Sequence, residues 1–298
     1  MSVEIKEFFD SQTATFTYLV IEEATKKAVV IDPVLDYEPH SGMLTTLLAD
    51  QVLAAANEQG ATIERVLETH AHADHLSAAA YIKGLSSARV GIGAGIVKVQ
   101  QVFQQVFNLG ESFAADGSQF DDLFDDGETI GFGDTSIKVM HTPGHTNDGV
   151  TYLIDDCAFV GDTLFAPDYG SARCDFPGGD AGLLYDSIQK LYCLPEETRL
   201  CLCHDYPPSG RGPTTFVTVE EQKQSNVHIK HDTARNVFIA MREDRDRGLG
   251  MPKLLLPAVQ VNISAGEPPI PEANGVAYLK VPINFDFAGL AKQAVQAA

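Results

Sequence analysis

The chain has no run of about 18 apolar residues, so no membrane-spanning helix is expected. Its first residues, MSVEIKEFFDSQ, lack the apolar core of a secretory leader, and a cytoplasmic location is the expectation. Basic residues are scarce: 21 Lys and Arg stand against 41 Asp and Glu, a net charge of −20. A field of that sign repels phosphate backbones and argues against nucleic acid as a partner. Nor is there a basic amphipathic stretch to hold an anionic membrane. A small anionic ligand still fits if a local basic pocket holds it. The five cysteines are Cys157, Cys174, Cys193, Cys201 and Cys203, an odd set without the spacing of a secreted disulfide scaffold. Cys201 and Cys203 lie in an apolar run and read as reduced strand residues; no second pair completes a zinc site. GIGAG at Gly91–Gly95 lacks the G-x-G-x-x-G spacing, and no loop ends in Gly-Lys-Ser/Thr, so nucleotide binding has little support. No solenoid period or low-complexity linker is visible.

What is present is a globular pattern. Short β-branched runs bounded by Gly, Pro and Asp predict strands at Phe16–Glu22, Ala28–Ile31, Arg65–Glu68, Val90–Ile92, Ser136–Met140, Val150–Ile154, Ala158–Val160 and Arg199–Cys203. Helices are expected over Gly42–Gln59, His75–Gly84, Gly95–Phe107, Ala181–Leu191, Thr218–Asn226 and His231–Gly248. The hairpin at Ser136–Ile154 reads as antiparallel, which suggests two sheets or a mixed sheet covered by helices rather than a doubly wound fold. The polar segment Asn108–Glu128 reads as a solvated loop or a flap. Its FDDLFDDGE departs from a calcium loop, because Phe124 occupies a ligand position. Residues 1–250 are expected to form the catalytic domain. Residues 251–298, rich in Pro and Gly, read as an extension packed on the same domain or on a neighbouring subunit. Within it, Leu254–Ile263 suits either a homodimer contact or an internal strand.

The residues that carry chemistry share one placement. THAHADH follows the strand RVLE and brings His70, His72, Asp74 and His75. His145, in HTPGHT, follows IKVM; Asp162 follows AFVG; His204 follows RLCLC; Asp32 follows AVVI. Each is an ionisable group just past a strand end, where loops build sites on a rigid scaffold. Imidazole and carboxylate together suit Zn, Fe or Mn, and a thiolate site is disfavoured because no Cys falls in these loops.

THAHADH, HTPGHT, VGDTLF and CLCHDY resemble the signature of the metallo-β-lactamase superfamily, over roughly residues 14–230. The resemblance implies an α/β (α+β) αββα sandwich, two mixed β-sheets flanked by helices, with a metal site at one edge. YGSARCDFPGGD and the HDY…VEEQKQSN run look more closely like the persulfide dioxygenases. That family implies one Fe(II) per chain, held by His70, His145 and Asp162. It also implies glutathione persulfide, O2 and water as substrates, with sulfite and glutathione as products. His72, Asp74, His75 and His204 are then expected to surround the iron without holding a second metal. In binuclear members of the superfamily the same residues complete two zinc sites. A glutathione thioester hydrolase of the glyoxalase II type is therefore the alternative.

Glutathione carries two carboxylates. Arg173 is the first candidate to hold one, with an ion pair to Asp175 as the competing role. Tyr206, His228 and Lys230 are further candidates. His228 stands where the dioxygenases usually have arginine.

Overall fold

A computed structural model describes residues 2–283 of the chain. In chain order the first half runs Val3–Asp10 (β1), Thr15–Glu22 (β2), Lys27–Ile31 (β3), Val34–Glu38 (β4), Met43–Thr45 (β5), Leu47–Glu58 (α1), Thr62–Leu67 (β6), Leu76–Ser77 (β7), Ala79–Ser86 (α2), Arg89–Gly93 (β8), Ile96–Val106 (α3) and Asp122–Phe124 (β9). The second runs Thr129–Phe132 (β10), Thr135–His141 (β11), Val150–Ile154 (β12), Cys157–Phe159 (β13), Ala181–Tyr192 (α4), Arg199–Cys201 (β14), Phe216–Thr218 (β15), Val219–Ser225 (α5), Arg235–Asp246 (α6) and Leu255–Asn262 (α7).

Alternation along β2 and β3 explains the layering. All eight residues of β2 are buried. Leu19 and Ile21 join Ala28 and Val30 in a cluster with α1, α2, α3 and α7. Phe16, Tyr18 and Val20 join Val29 and Ile31 in a second cluster, with Ile137, Val139, Tyr152 and Phe159 of the facing sheet. A strand apolar on both faces has to lie between two covered layers. The first sheet has the order β1-β2-β3-β6-β8-β9 and the second β10-β11-β12-β13-β14-β15. A third cluster, including Leu184, Ile188, Leu200, Val219 and Phe238, fills the space between the second sheet and α4, α5 and α6. The result is the helix–sheet–sheet–helix sandwich expected from the sequence. Both sheets are mixed: in the first β1 pairs with β2 antiparallel and β3 with β6 in parallel, and in the second β11 pairs with β12 antiparallel and β13 with β14 in parallel.

Three expectations are corrected. The helix expected from Gly42 starts at Leu47, because Met43–Thr45 pairs with β4. Similarly, Leu76–Ser77 pairs with β4 before α2 begins at Ala79. Segment 108–128 is not a free flap. Asp122–Phe124 adds to β8 as the sheet's last strand, and Phe120 and Phe124 are buried. Two of its acidic residues are paired with cations from other elements: Arg89 holds the Asp122 carboxylate at 2.7 and 3.0 Å, and Lys83 reaches Asp121 at 2.6 Å.

The stretch Leu254–Ile263 forms neither a strand nor a free apolar face. Within it α7 places Leu255, Ala258, Val259 and Val261 in the chain's own core, so its hydrophobicity is satisfied internally. Residues 284–298 of the extension lie outside the described residues. No helix among those described is long and apolar enough to cross a membrane.

Candidate metal centre

Strands of both sheets end at one rim. Asp32 follows β3 and the THAHADH loop follows β6; His145, Asp162 and His204 follow β11, β13 and β14. The loop after β11 can reach the rim only with glycine at position 144. Gly144 has φ +136°, and a Cβ there would lie 2.2 Å from the Leu184 backbone nitrogen in the first turn of α4. Asp180 caps α4 through its side chain, and its own N–H donates to the Gly144 carbonyl at 2.8 Å. The helix start is thereby tied to the residue beside His145.

The structure brings the seven candidate ligands into two adjoining groups. His70, His145 and Asp162 form one; His72, Asp74, His75 and His204 form the other. Within each group the ligand atoms all lie within 4.8 Å of one another. His145 Nε2 is 3.6 Å from Asp162 Oδ2, and His204 Nε2 is 3.0 Å from Asp74 Oδ2 and 3.4 Å from Asp162 Oδ1. His70 Nε2, His72 Nδ1, His75 Nε2, His204 Nε2 and Asp162 Oδ1 are all buried without a hydrogen-bond partner. One unsatisfied buried polar atom costs about 1–3 kcal/mol. Several converging on one point make sense as donors to a cation.

The outward ring nitrogens support the same reading. Thr69 donates its hydroxyl to Asp32 Oδ2 at 2.8 Å, so it accepts from His70 Nδ1–H at 3.0 Å. His72 donates from Nε2 to Asp32 Oδ1 at 3.0 Å, His75 from Nδ1 to the Leu76 carbonyl at 3.1 Å, and His145 from Nδ1 to the Arg173 carbonyl at 2.7 Å. His204 Nδ1 meets the Thr15 hydroxyl at 3.1 Å. A metal-binding histidine is held in this way, its second nitrogen fixed so that the first offers a lone pair.

Charge follows position. Burial, with His72 and His145 close by, pushes His70 well below the usual imidazole range. Burial, then His72, pushes His75 down to about 3. Both therefore offer neutral lone pairs. Burial opposes protonation of His72, yet Asp32 and Glu68 on its far side raise it. Burial also raises Asp162. These residues fit a divalent cation in either group. The expectation that no Cys falls in the site loops is corrected, because β14 ends at Cys201, and Cys203, in the connection leading to His204, is turned inward. Its sulfur groups with Asp32 and His72, and also with Asp162 and His204. Burial raises the Cys203 thiol above its ordinary pKa, so it stays protonated.

A cavity of about 570 Å³ opens onto His145, Asp162 and Asp74. Phe165, Tyr169, Phe176, Tyr206, His228 and Arg173 are among the residues that line it. The Tyr206 ring stacks on His204 at 5.9 Å and 12° and lies 4.9 Å from the Tyr169 ring. Arg173 holds Asp175 through two 2.6 Å bonds and donates to the Gly250 carbonyl at 2.7 Å, so its guanidinium is largely engaged. His228 Nδ1 accepts from the Ser171 N–H at 2.9 Å. Burial, with Arg242 and Arg245 nearby, pushes its pKa down to about 4. Lys230 is exposed and does not line the cavity. Arg245 does line it, with no carboxylate partner among the described residues. Sequence reading passed over Arg245 because α6 looked like a solvated charged helix.

A family model described as "Metallo-beta-lactamase superfamily" matches residues 11–204. The chain is 50% identical to a "Probable metallo-hydrolase" of Burkholderia pseudomallei, over 94% of this chain and 99% of the relative. It is 47% identical to "Glyoxylase B2" of Dictyostelium discoideum, over 95% and 97%. With "Persulfide dioxygenase ETHE1, mitochondrial" of Homo sapiens it shares 31% identity, over 76% of this chain and 75% of that one. Among solved structures, ETHE1 from Myxococcus xanthus superposes with a TM-score of 0.71 at 32% identity, covering 89% of this chain and all of the other.

Proposed function

From a chain that belongs to the metallo-beta-lactamase superfamily, we propose a persulfide dioxygenase that oxidises glutathione persulfide, with O2 and water, to sulfite and glutathione at one ferrous iron. The observation that carries this reading is the grouping of His70, His145 and Asp162 beside the cavity. Two imidazoles and one carboxylate leave coordination positions open, as non-haem Fe(II) oxygenases require. Iron bound there would supply the electron transfer that lets O2 react with a persulfide sulfur.

The protein's part is holding and orienting. Thr69 and the Arg173 carbonyl fix the two imidazoles. Phe165, Phe176 and the Tyr169–Tyr206 pair give the cavity an apolar wall for the cysteinyl sulfur chain. Arg245 and Arg173 bring positive charge to a strongly acidic protein, where the glutathione carboxylates need it. A cavity of this size lies within the ordinary range for small-molecule sites, about 300–1,000 Å³.

A second reading is a binuclear glutathione thioester hydrolase of the glyoxalase II type. It is favoured by the second group, His72, Asp74, His75 and His204, whose ring nitrogens are equally unpartnered. The names of the two relatives near 50% identity also favour it. Metal analysis of single variants separates the two readings. Under the dioxygenase reading the wild type carries about one iron per chain. His70→Ala, His145→Ala and Asp162→Ala each lose it, and His75→Ala keeps most of it. Equal loss from all four variants supports the hydrolase.

A further inference from the structure

We infer that Asn262, on α7, is a positioning residue for the metal centre: its carboxamide holds the ligand loop in the shape that gathers His72, Asp74 and His75. The inference rests on the reading that the group His72, Asp74, His75 and His204 takes a divalent cation when one is supplied in excess, beside the ion held by His70, His145 and Asp162. Asn262 lies outside the matched family region, which ends at residue 204. Even so, its Nδ2 donates to the His72 carbonyl at 2.7 Å and to the His75 carbonyl at 2.8 Å. Its Oδ1 accepts from the Ser77 N–H at 2.8 Å. The side chain is 4% exposed, and both donors and the acceptor are used.

The two carbonyls bracket Asp74. One carboxamide bonded to both fixes the distance across the turn, and with it the directions in which three candidate ligands leave the backbone. The preceding residues are pinned by other side chains. Thr69 N–H donates to Asp32 at 2.7 Å and Ala71 N–H to Asp148 at 2.7 Å. Asn262 is the corresponding anchor for the second half of the loop. It is itself held firmly: Ala258, Val259 and Val261 are buried around it, and Gln100 donates to the Ile263 carbonyl at 2.9 Å. Of the side chains of this length, only a carboxamide offers two N–H donors and an acceptor together. Aspartate has the same shape but cannot make the double donation.

The test is a Co(II) titration of wild type, Asn262→Asp, Asn262→Ser and Gln260→Ala. It is read by the visible ligand-field bands and by Kd, alongside the melting temperature of each metal-free protein. Gln260→Ala is the control on the same helix, since Gln260 bonds to the Leu256 and Lys280 carbonyls and not to the loop. Both Asn262 variants are expected to weaken Co(II) binding in the group His72, Asp74, His75 and His204 about 10–100-fold and to shift its bands, as loss of a ligand-orienting partner does. Gln260→Ala is expected to keep the wild-type Kd and spectrum even where its melting temperature falls. Asn262→Ser places no carboxylate against the carbonyls, so it provides a folded variant if Asn262→Asp is too unstable. Wild-type Kd and bands in a folded Asn262 variant would overturn the inference, whatever its melting temperature. A wild type that takes up fewer than two equivalents of Co(II) would instead refute the second-group reading on which the inference stands, and leave the His70 group untouched.

Discussion

His72 donates from Nε2 to Asp32 Oδ1 at 3.0 Å, and this bond turns Nδ1, without a partner, toward the ligand cluster. Asp32 also accepts from the Thr69 N–H and hydroxyl, so one buried carboxylate orients two adjacent histidines. Burial would raise its pKa, but His72 and the Thr69 hydrogen bonds lower it. Asp32 has φ +49°, a conformation that Asn also tolerates. Asp32→Asn is therefore expected to fold. Losing the charge-assisted bonds should cost about 1–3 kcal/mol, measured by urea unfolding of the metal-free protein.

Gly144→Ala is expected to be worse than its position in a bend outside any strand or helix suggests. The added Cβ meets backbone atoms of Leu184, which cannot move without shifting α4. Backbone strain and overpacking together should cost about 2–5 kcal/mol. The variant should also lose metal, since His145 is the next residue. Urea unfolding and metal analysis on one preparation check both effects.

His228 gives the protein a defined pH response. Its folded pKa of about 4 lies below the unfolded value of about 6.5. The unfolded chain therefore takes up the proton first as pH falls. Stability from neutral His228 is complete above about pH 6.5 and is lost progressively as pH drops toward 4. His228→Gln keeps an acceptor for the Ser171 N–H and cannot titrate. Denaturation midpoints from pH 7.5 to 4.5 should fall less steeply for this variant than for wild type.

Arg245 and Arg173 should fail differently. Arg245 has no carboxylate partner among the described residues, so Arg245→Ala should raise KM for glutathione persulfide about 10-fold with little change in kcat or stability. Arg173→Ala strips Asp175 of its partner and frees the Gly250 carbonyl, so it should lower the melting temperature as well. Steady-state kinetics with thermal melts separates the two.

The sandwich and the site rim were legible in the sequence for one reason. Strands buried on both faces read as short β-branched runs, and the chemistry sits directly past their ends, as His70 follows β6 and His204 follows β14. What escaped was tertiary. Leu254–Ile263 is a short apolar run, and periodicity alone does not tell a buried helix from a strand. Once its place in α7 is known, Asn262 becomes visible as an anchor 187 residues from His75. The 108–128 segment looked solvated because its acids are numerous; their partners Arg65, Lys83 and Arg89 lie on other elements. Cys203 looked like one more strand residue because the bend that turns it toward His72 comes after the strand has ended.

The most direct test of the central claim is oxygen uptake by the iron-loaded protein with glutathione persulfide, with sulfite counted in the same vessel. The account predicts O2 consumed and sulfite formed in a one-to-one ratio, with both lost in His145→Ala. No O2 uptake by a protein that instead carries two zinc ions and hydrolyses a glutathione thioester would contradict it.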